Sequence, residues 1–127
     1  MTYDYYGSWE NQVQHFAPLY PPKSTNQTQF YDDERNRKFN INYTVNYWIN
    51  EKGAPKNQTS IGVAFYGRSF TLANQSNAQA GSLAIGPGLA GPNTNRPGLL
   101  SFNEILIFEF FYLVSFHFRS NGTVLSV

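Results

Sequence analysis

Two short segments of this chain carry side chains that suit polar recognition of a ligand. Tyr66 and Arg68 lie two residues apart in an apolar run of strand length, so their side chains are expected on the same side of a strand. Tyr3 and Asp4 precede Gly7, and a turn there would leave both side chains facing one cleft. Phenol, carboxylate and guanidinium groups at these positions predict recognition through hydrogen bonds.

Aromatic rings are the second resource of the sequence. They belong to 17% of the 127 residues, whereas charged residues make up only 13%, a balance that suits recognition through hydroxyls, amides and ring faces. Trp9 lies in a polar loop two residues after Gly7, which favours a binding surface over a core position. Asp4, taken alone, is typical of a capping or turn residue.

The clearest element that could position these residues is a helix. Four apolar residues recur at i, i+4, i+7 and i+8 and therefore share one face: Ile41, Val45, Trp48 and Ile49. Asn40 or Asn42 would cap the start of this helix, and Gly53 with Pro55 would end it. Trp48 is therefore predicted to pack in a core.

Strands are predicted on either side of this helix. Residues 1–6 are typical of a short strand ended by Gly7, and residues 61–70 form a nearly continuous apolar run, as a parallel strand buried on both faces requires. A helix, a short turn and a buried strand make half of a βα repeat, which favours an α/β fold. Residues 8–38 and 73–98 are predicted to be irregular.

Composition excludes several classes of function. Nine basic and eight acidic residues leave a net charge of +1 without a one-signed patch, so no nucleic-acid partner is expected. The chain has no cysteine, and His15 and His117 lack metal-ligand spacing, so neither a metal nor a cofactor is expected. The apolar run 105–118 is too short to span a bilayer and contains Glu109, so no membrane partner is expected.

Five N-glycosylation sequons favour a secreted parent protein, and they begin at Asn26, Asn42, Asn57, Asn74 and Asn121. The residues after Met1 show neither the basic region nor the apolar core of a signal peptide. A chain that is part of a larger secreted protein would reconcile these two observations, so we expect an extracellular parent.

Several motifs occur in the order found in a known family of enzymes. Residues 1–10 (MTYDYYGSWE) resemble the M-x-Y-D…G-x-W segment on the sixth barrel strand of family 18 glycoside hydrolases, which are chitinases and chitinase-like lectins. Residues 62–72 (GVAFYGRSFTL) resemble the G-x-P-x-Y-G-R-x-F-x-L segment on their seventh strand, with Ala64 at the usual proline. Shorter family-like segments lie between and after these two, at residues 17–20, 45–55, 86–91 and 98–105.

The resemblance implies an α/β fold with two parts. Residues 1–72 would be the C-terminal part of a TIM (β/α)8 barrel, with the sixth and seventh strands and their connecting helix, and residues 73–105 would begin an α+β insertion domain. Residues 106–127 would be a hydrophobic tail foreign to the family, because composition and resemblance change together after Ile105. Reading through an unspliced intron, or a diverged buried strand or helix, would each explain this tail.

Six residues would bind substrate in such a barrel: Met1, Tyr3, Asp4, Trp9, Tyr66 and Arg68. By resemblance, Tyr3 would hydrogen-bond the N-acetyl group of a sugar, Asp4 would bind a sugar hydroxyl, and Met1 would line the floor of that subsite. Trp9 would stack on a neighbouring sugar, and the tyrosine and arginine of the later strand would add polar contacts. Neutral amino sugars offer the hydroxyls, amides and flat apolar faces that these groups address.

The catalytic motif of the family has no counterpart in this chain. Nothing resembles the D-x-x-D-x-D-x-E segment of the fourth strand, whose glutamate protonates the leaving oxygen while the N-acetyl oxygen of the substrate attacks the anomeric carbon. The acidic residues 32–34 lie in a polar loop without that motif. No catalytic residue is therefore predicted within this chain.

Three functions stay open at this point. The parent protein would hydrolyse β-1,4-linked N-acetylglucosamine polymers (chitin) by the substrate-assisted retaining route. Alternatively, it would be a non-catalytic chitinase-like lectin that binds chitooligosaccharides. In the third interpretation the chain is a truncated product without activity, acting at most as a small binding protein.

Overall fold

The computed structural model describes residues 1–21, 34–76 and 78–107, together with the backbone of residues 123–126. Contacts group the chain into two units, and each is described by itself. The helical unit comprises Met1–Tyr5 and Ala17–Ala64, and the sheet unit comprises Tyr6–Phe16 and Phe65–Val127.

The helical unit contains the predicted helix. A short helix, α1 (Glu34–Lys38), precedes α2 (Ile41–Asn46), which continues as a π-helical turn (Tyr47–Glu51) and is followed by a 3-10 turn (Lys56–Gln58). Asn40 caps α2, because its side-chain oxygen accepts a hydrogen bond from Tyr43 N at 2.8 Å. Gly53 adopts a positive φ of 69° just beyond the π-helical turn, as the helix-end prediction requires. The predicted helix with its start and stop signals is confirmed.

The sheet unit is organised around one strand, β1 (Tyr66–Leu72), which pairs antiparallel with three shorter strands: β2 (Ala84–Pro87), β3 (Leu99–Ser101) and β4 (Thr123–Ser126). β3 pairs with the first half of β1, so that Tyr66 lies opposite Ser101 and Arg68 opposite Leu99. Residues 102–107 then form a helical segment, α3, directly after β3.

A small apolar core fills the sheet unit. Its central cluster consists of four buried residues: Val13, Phe70, Leu72 and Ala84. The early segment reaches this core through backbone pairing, since Val13 N donates to Ser82 O at 2.9 Å and Gly81 N donates to Val13 O at 2.7 Å. Phe70 is completely buried, so β1 is held through its side chains as well as through its ladder.

Two strand predictions need correction. Residues 1–6 form no strand, because no strand of the described residues pairs with them and an extended segment becomes a strand only through such a ladder. The strand predicted at 61–70 begins only at Tyr66, where its first partner begins, and Val63 is 73% exposed. Its partners are antiparallel, whereas a parallel strand buried on both faces was expected.

Three further predictions are wrong in part. Trp48, in the π-helical turn, is 55% exposed instead of packing in a core, because the described residues of the helical unit include no strand that could cover it. The stretch 8–38 contains α1, and the stretch 73–98 contains β2, although both were predicted to be irregular. The glycine and proline residues of the second stretch are typical of loops, so the sequence did not indicate its strand, which is only four residues long.

Most of the predicted tail, residues 106–127, lies outside the described residues. Residues 106 and 107 complete the described part of α3, and β4 falls near the end of the chain. Within the described parts of the chain, no helix has the length and apolar character needed to cross a membrane.

Candidate functional site

Three of the predicted binding residues meet in the sheet unit. The guanidinium carbon of Arg68 lies 5.1 Å from the centre of the Trp9 ring and 5.5 Å from the centre of the Tyr66 ring. Both distances fall in the range of a cation–π contact. We call Trp9, Tyr66 and Arg68 the ring cluster.

The two strand residues of the ring cluster are placed by the two-residue period of β1. Tyr66 and Arg68 are half-buried and lie on one side of the strand, and they alternate with the buried residues Gly67 and Ser69. The Tyr66 ring also packs against Phe16, with ring centres 5.3 Å apart. The predicted shared orientation of Tyr66 and Arg68 is thus confirmed.

Trp9 is placed by a tight turn. Glu10 N donates to Gly7 O at 2.9 Å, and the indole lies so close to Gly7 that any Cβ at that position would overlap the ring. Glycine at this position therefore allows the ring to fold back over the backbone. Trp9 remains 58% exposed, so much of its surface is open to a ligand despite the Arg68 contact.

The other three predicted binding residues belong to the helical unit. Met1 is 91% exposed, Tyr3 is half-buried and Asp4 is exposed. The Thr2 hydroxyl donates to Gly62 O, and a Cβ at Gly62 would lie 3.1 Å from Tyr3 Cε1. The first residues of the chain therefore lie against residue 62, as neighbouring segments of one unit.

Asp4 has an unusual backbone conformation. Its φ is +60°, in the left-handed region that residues other than glycine seldom adopt. Asp is among the residues that tolerate this region best, and such outliers concentrate in turns and at functional sites. This geometry agrees with both roles that the sequence left open for Asp4, a turn residue and a ligand contact.

A buried carboxylate in the sheet unit was missed by the sequence reasoning. Glu104 is only 3% exposed, and each of its two carboxylate oxygens accepts hydrogen bonds from neighbouring residues. Oε1 accepts from Asn93 N at 2.7 Å and Thr94 N at 2.9 Å, while Oε2 accepts from Ser101 N at 2.7 Å and from the Ser101 hydroxyl at 2.8 Å. The signal was present, because Ser101-Phe-Asn-Glu104 before an apolar run is the spacing of a helix capping box.

The electrostatics of Glu104 exclude a role as a proton donor near neutral pH. Burial alone would raise the pKa of its carboxyl, but the hydrogen bonds from Thr94, Ser101 and Asn93 outweigh burial and lower the pKa to about 2. The carboxyl group is therefore ionised at neutral pH. Among the described residues, no group of three histidine, aspartate or glutamate side chains could hold a metal ion.

Comparison with known proteins identifies the family. The sequence profile of Glycosyl hydrolases family 18 matches residues 1–121. The chain belongs to glycosyl hydrolase family 18. The resemblance predicted from its motifs is confirmed.

Both catalytic and non-catalytic members of family 18 are similar to the chain. Probable chitinase 10 of Drosophila melanogaster is 40% identical over 105 residues, which are 83% of the chain but 4% of that protein. A crystal structure of catalytic domain 2 of Ostrinia furnacalis Group II chitinase is 40% identical, with a TM-score of 0.69 over 83% of the chain and 25% of the domain. Human YKL-39, described as a pseudo-chitinase with retained chitooligosaccharide binding, is 37% identical, with a TM-score of 0.72 over 85% of the chain and 28% of its own.

The chain thus spans between 4% and 28% of the length of these relatives. Their similarity implies that the chain belongs to a TIM-barrel family. The family profile extends past Ile105 to residue 121, so the boundary of the foreign tail stays a prediction.

The glycosylation candidates of this family member are accessible where they are described. Asn42 lies on α2, Asn57 lies in the 3-10 turn and Asn74 lies after β1, and all three are exposed. Asn26 and Asn121 lie outside the described residues.

Proposed function

We propose that the protein containing this chain binds chitin or chitooligosaccharides, and that the ring cluster contributes to the binding surface. The observation that carries this proposal is the exposed Trp9 ring with the Arg68 guanidinium beside it, and the contact of the same guanidinium with the Tyr66 ring. A pyranose ring offers a flat apolar face for an indole and hydroxyls for a guanidinium and a phenol. Met1, Tyr3 and Asp4 of the helical unit are proposed to add the subsite contacts that the family motif implies.

The partial-barrel architecture belongs to the same proposal. The helical unit would supply the sixth strand, the connecting helix and the first part of the seventh strand of a (β/α)8 barrel. The sheet unit would supply the remainder of residues 1–72 and, from residue 73, the start of the α+β insertion domain. The exposed apolar side chains of Ile61 and Val63 support this assignment, since neighbouring barrel strands would cover them. A complete barrel needs about 250 residues, more than this chain contains.

Hydrolysis by the substrate-assisted retaining route is the proposed activity of the parent protein, and chitooligosaccharide binding without hydrolysis is the second candidate. The similarity to Group II chitinase favours the first, and the similarity to the pseudo-chitinase YKL-39 favours the second. The deciding glutamate would lie on the fourth barrel strand. Sequencing the transcript upstream of the codon for Met1 would distinguish a catalytic glutamate from a replacement.

The chain alone is proposed to be without hydrolytic activity. General acid catalysis contributes about 10²–10⁴-fold to such reactions, and the buried Glu104 is ionised near neutral pH. Incubation with a fluorogenic chitobioside should release no fluorophore above the rate of buffer alone. Release that a substitution in this chain abolishes would overturn the proposal.

The binding proposal is tested by a matched pair of tryptophan variants. Trp9 and Trp48 are 58% and 55% exposed, so they differ in neighbours rather than in accessibility. We expect Trp9→Ala to weaken chitopentaose binding about tenfold or more in isothermal titration calorimetry, because aromatic anchors dominate such contacts. Trp48→Ala should bind as the wild type does, and equal affinity for all three proteins would refute a role for Trp9.

Secretion of the parent protein is a separate proposal that the exposed sequons support. Attached glycans on Asn57 or Asn74 would be removed by an endoglycosidase, with a measurable loss of mass in material from the native source. Peptides from that source with all described sequons unmodified would contradict it.

A further inference from the structure

The Glu104 carboxylate lies between the two chain segments that support the ring cluster. Its first oxygen accepts hydrogen bonds from the loop at Asn93 and Thr94, and its second accepts from Ser101 at the end of β3. The first oxygen also accepts from the Thr94 hydroxyl at 3.3 Å, so it faces three donors and the second oxygen faces two. The carboxylate thus joins a loop to a strand that are adjacent to it in space but separate along the chain. A buried acceptor with this many charge-assisted hydrogen bonds fixes geometry strongly.

One path from Glu104 leads to Tyr66. Ser101, which donates two hydrogen bonds to Glu104, lies directly opposite Tyr66 in the β3–β1 ladder. The next residue repeats the connection, since Phe102 N donates to Phe65 O at 3.0 Å and the two rings pack edge to face at 6.0 Å. The carboxylate thus holds the segment that aligns the start of β1.

A second path leads from Glu104 to Trp9. The loop that donates to Glu104 continues to Gly98, whose backbone lies so close to Ser8 that a Cβ there would overlap the serine side chain. Gly98 has a positive φ of 76°, and its carbonyl accepts a hydrogen bond from Ser69 N at 3.2 Å. Ser8 is the residue before Trp9, so the loop supports the turn that carries the indole.

We propose that Glu104 is a positioning residue for the ring cluster, which aligns Tyr66 through β3 and Trp9 through the loop that ends at Gly98. This inference rests on the proposed sugar-binding function only where affinity is the measurement. Glutamine is a poor substitute at this position, because every group that faces the carboxylate is a donor. Whichever way the amide introduced by Glu104→Gln turned, its NH₂ group would face at least two of these donors.

The test uses the full chain with Trp48→Phe, so that Trp9 is the single fluorescent tryptophan. Glu104→Gln is compared in this background with Glu51→Gln, a matched change at an exposed carboxylate of the helical unit. Two measurements are made on each protein: iodide quenching of Trp9 without sugar, and the dissociation constant for chitopentaose. Far-UV circular dichroism shows whether each variant keeps its secondary structure.

We expect Glu104→Gln to change the iodide quenching constant of Trp9 about twofold and to weaken chitopentaose binding about tenfold, while Glu51→Gln changes neither. Unchanged quenching and affinity in a folded Glu104→Gln variant would overturn the proposal. If that variant does not fold, Ser101→Ala decides the matter, because it removes one hydrogen bond to Oε2 and leaves the backbone donor in place. If the inference is correct, Ser101→Ala shifts the quenching constant and the dissociation constant in the same direction as Glu104→Gln, but by less. Unchanged values of both would contradict the inference.

Failure of the sugar-binding proposal has a different signature. If the Trp48→Phe chain binds no chitopentaose, that proposal is refuted. The quenching of Trp9 would still report whether Glu104 positions the indole. A change in quenching without any sugar binding would therefore support the positioning role and reject the ligand.

Discussion

The two units of the chain differ in where their extended segments find partners. In the sheet unit, β1 pairs with β2, β3 and β4, all of which follow it in the sequence, and Phe70 at its centre is fully buried. In the helical unit, residues 1–5 and 61–64 lie beside each other but form no strand, and Val63 is 73% exposed.

This difference shows that strand topology determines which backbone segments find hydrogen-bonding partners within the chain. Antiparallel strands need only a turn or loop between them, whereas parallel strands are connected by a crossover of a dozen or more residues. The antiparallel sheet therefore finds its pairs within the chain. The segments proposed as parallel barrel strands lack a ladder among the described residues.

The largest expected effect concerns the core of the sheet unit. Phe70→Ala should lower the free energy of unfolding by about 3–5 kcal/mol, because it opens a cavity where a ring is fully buried. Phe65→Ala is the matched control, since that ring is 71% exposed, and it should cost less than about 1 kcal/mol. Urea unfolding followed by circular dichroism measures both, and similar costs would remove the contrast between buried and exposed rings.

The next effect concerns the buried carboxylate. Glu104→Gln should lower the free energy of unfolding at neutral pH by about 1–3 kcal/mol, since the buried donors on one of the two oxygens lose their acceptor. Hydrogen bonds from Thr94, Ser101 and Asn93 overcome burial and lower the pKa of Glu104 from 4.5 to about 2, so its stabilisation is complete above pH 4.5 and is lost as pH falls towards 2.

Thermal unfolding measured between pH 7 and pH 2 tests whether the stabilisation by Glu104 is lost as the pH falls. The difference in Tm between wild type and Glu104→Gln should be constant above pH 4.5 and should shrink through the window below it. A difference for Glu104→Gln that grows as pH falls would show that the carboxylate is not the stabilised form.

A smaller effect is expected in the helical unit. Asn40→Ala should cost about 1 kcal/mol, because the fully buried Asn40 side chain caps α2 through Tyr43 N and donates to Arg37 O at 2.8 Å. Asn50→Ala, at an exposed position that bonds only the side chain of Asn46 among the described contacts, should change stability by less than about 0.5 kcal/mol. Equal losses in chemical denaturation would mean that the cap does not hold the helix.

Local signals in the sequence predicted the features that depend on near neighbours. The cap at Asn40, the stop at Gly53 and the shared side of Tyr66 and Arg68 follow from interactions within a few residues, and the structure contains all three. The capping-box spacing from Ser101 to Glu104 was also a local signal. The burial of Glu104 and its hydrogen bonds to residues 93 and 94 depend on the fold and do not follow from that spacing.

Features that depend on distant partners could not be predicted in the same way. The apolar run at 61–70 indicated a strand but not its antiparallel partners, which lie in a Gly- and Pro-rich stretch without a strand pattern. Trp48 was predicted to be buried from helical periodicity, which identifies a face but not whether an element covers it. The meeting of Trp9 with Arg68 joins positions far apart in the sequence, and no local spacing specifies it.

Hydrogen exchange of the full chain, resolved by residue, tests most directly the claim that the sheet unit finds its own partners and the proposed barrel strands do not. The amides of β1 from Gly67 to Leu72 should exchange slowly, because ladder bonds and the buried Phe70 protect them. Amides in residues 61–64, where Val63 is 73% exposed, should exchange at rates close to those of unstructured peptides. Equal protection of this segment and β1 would contradict the account.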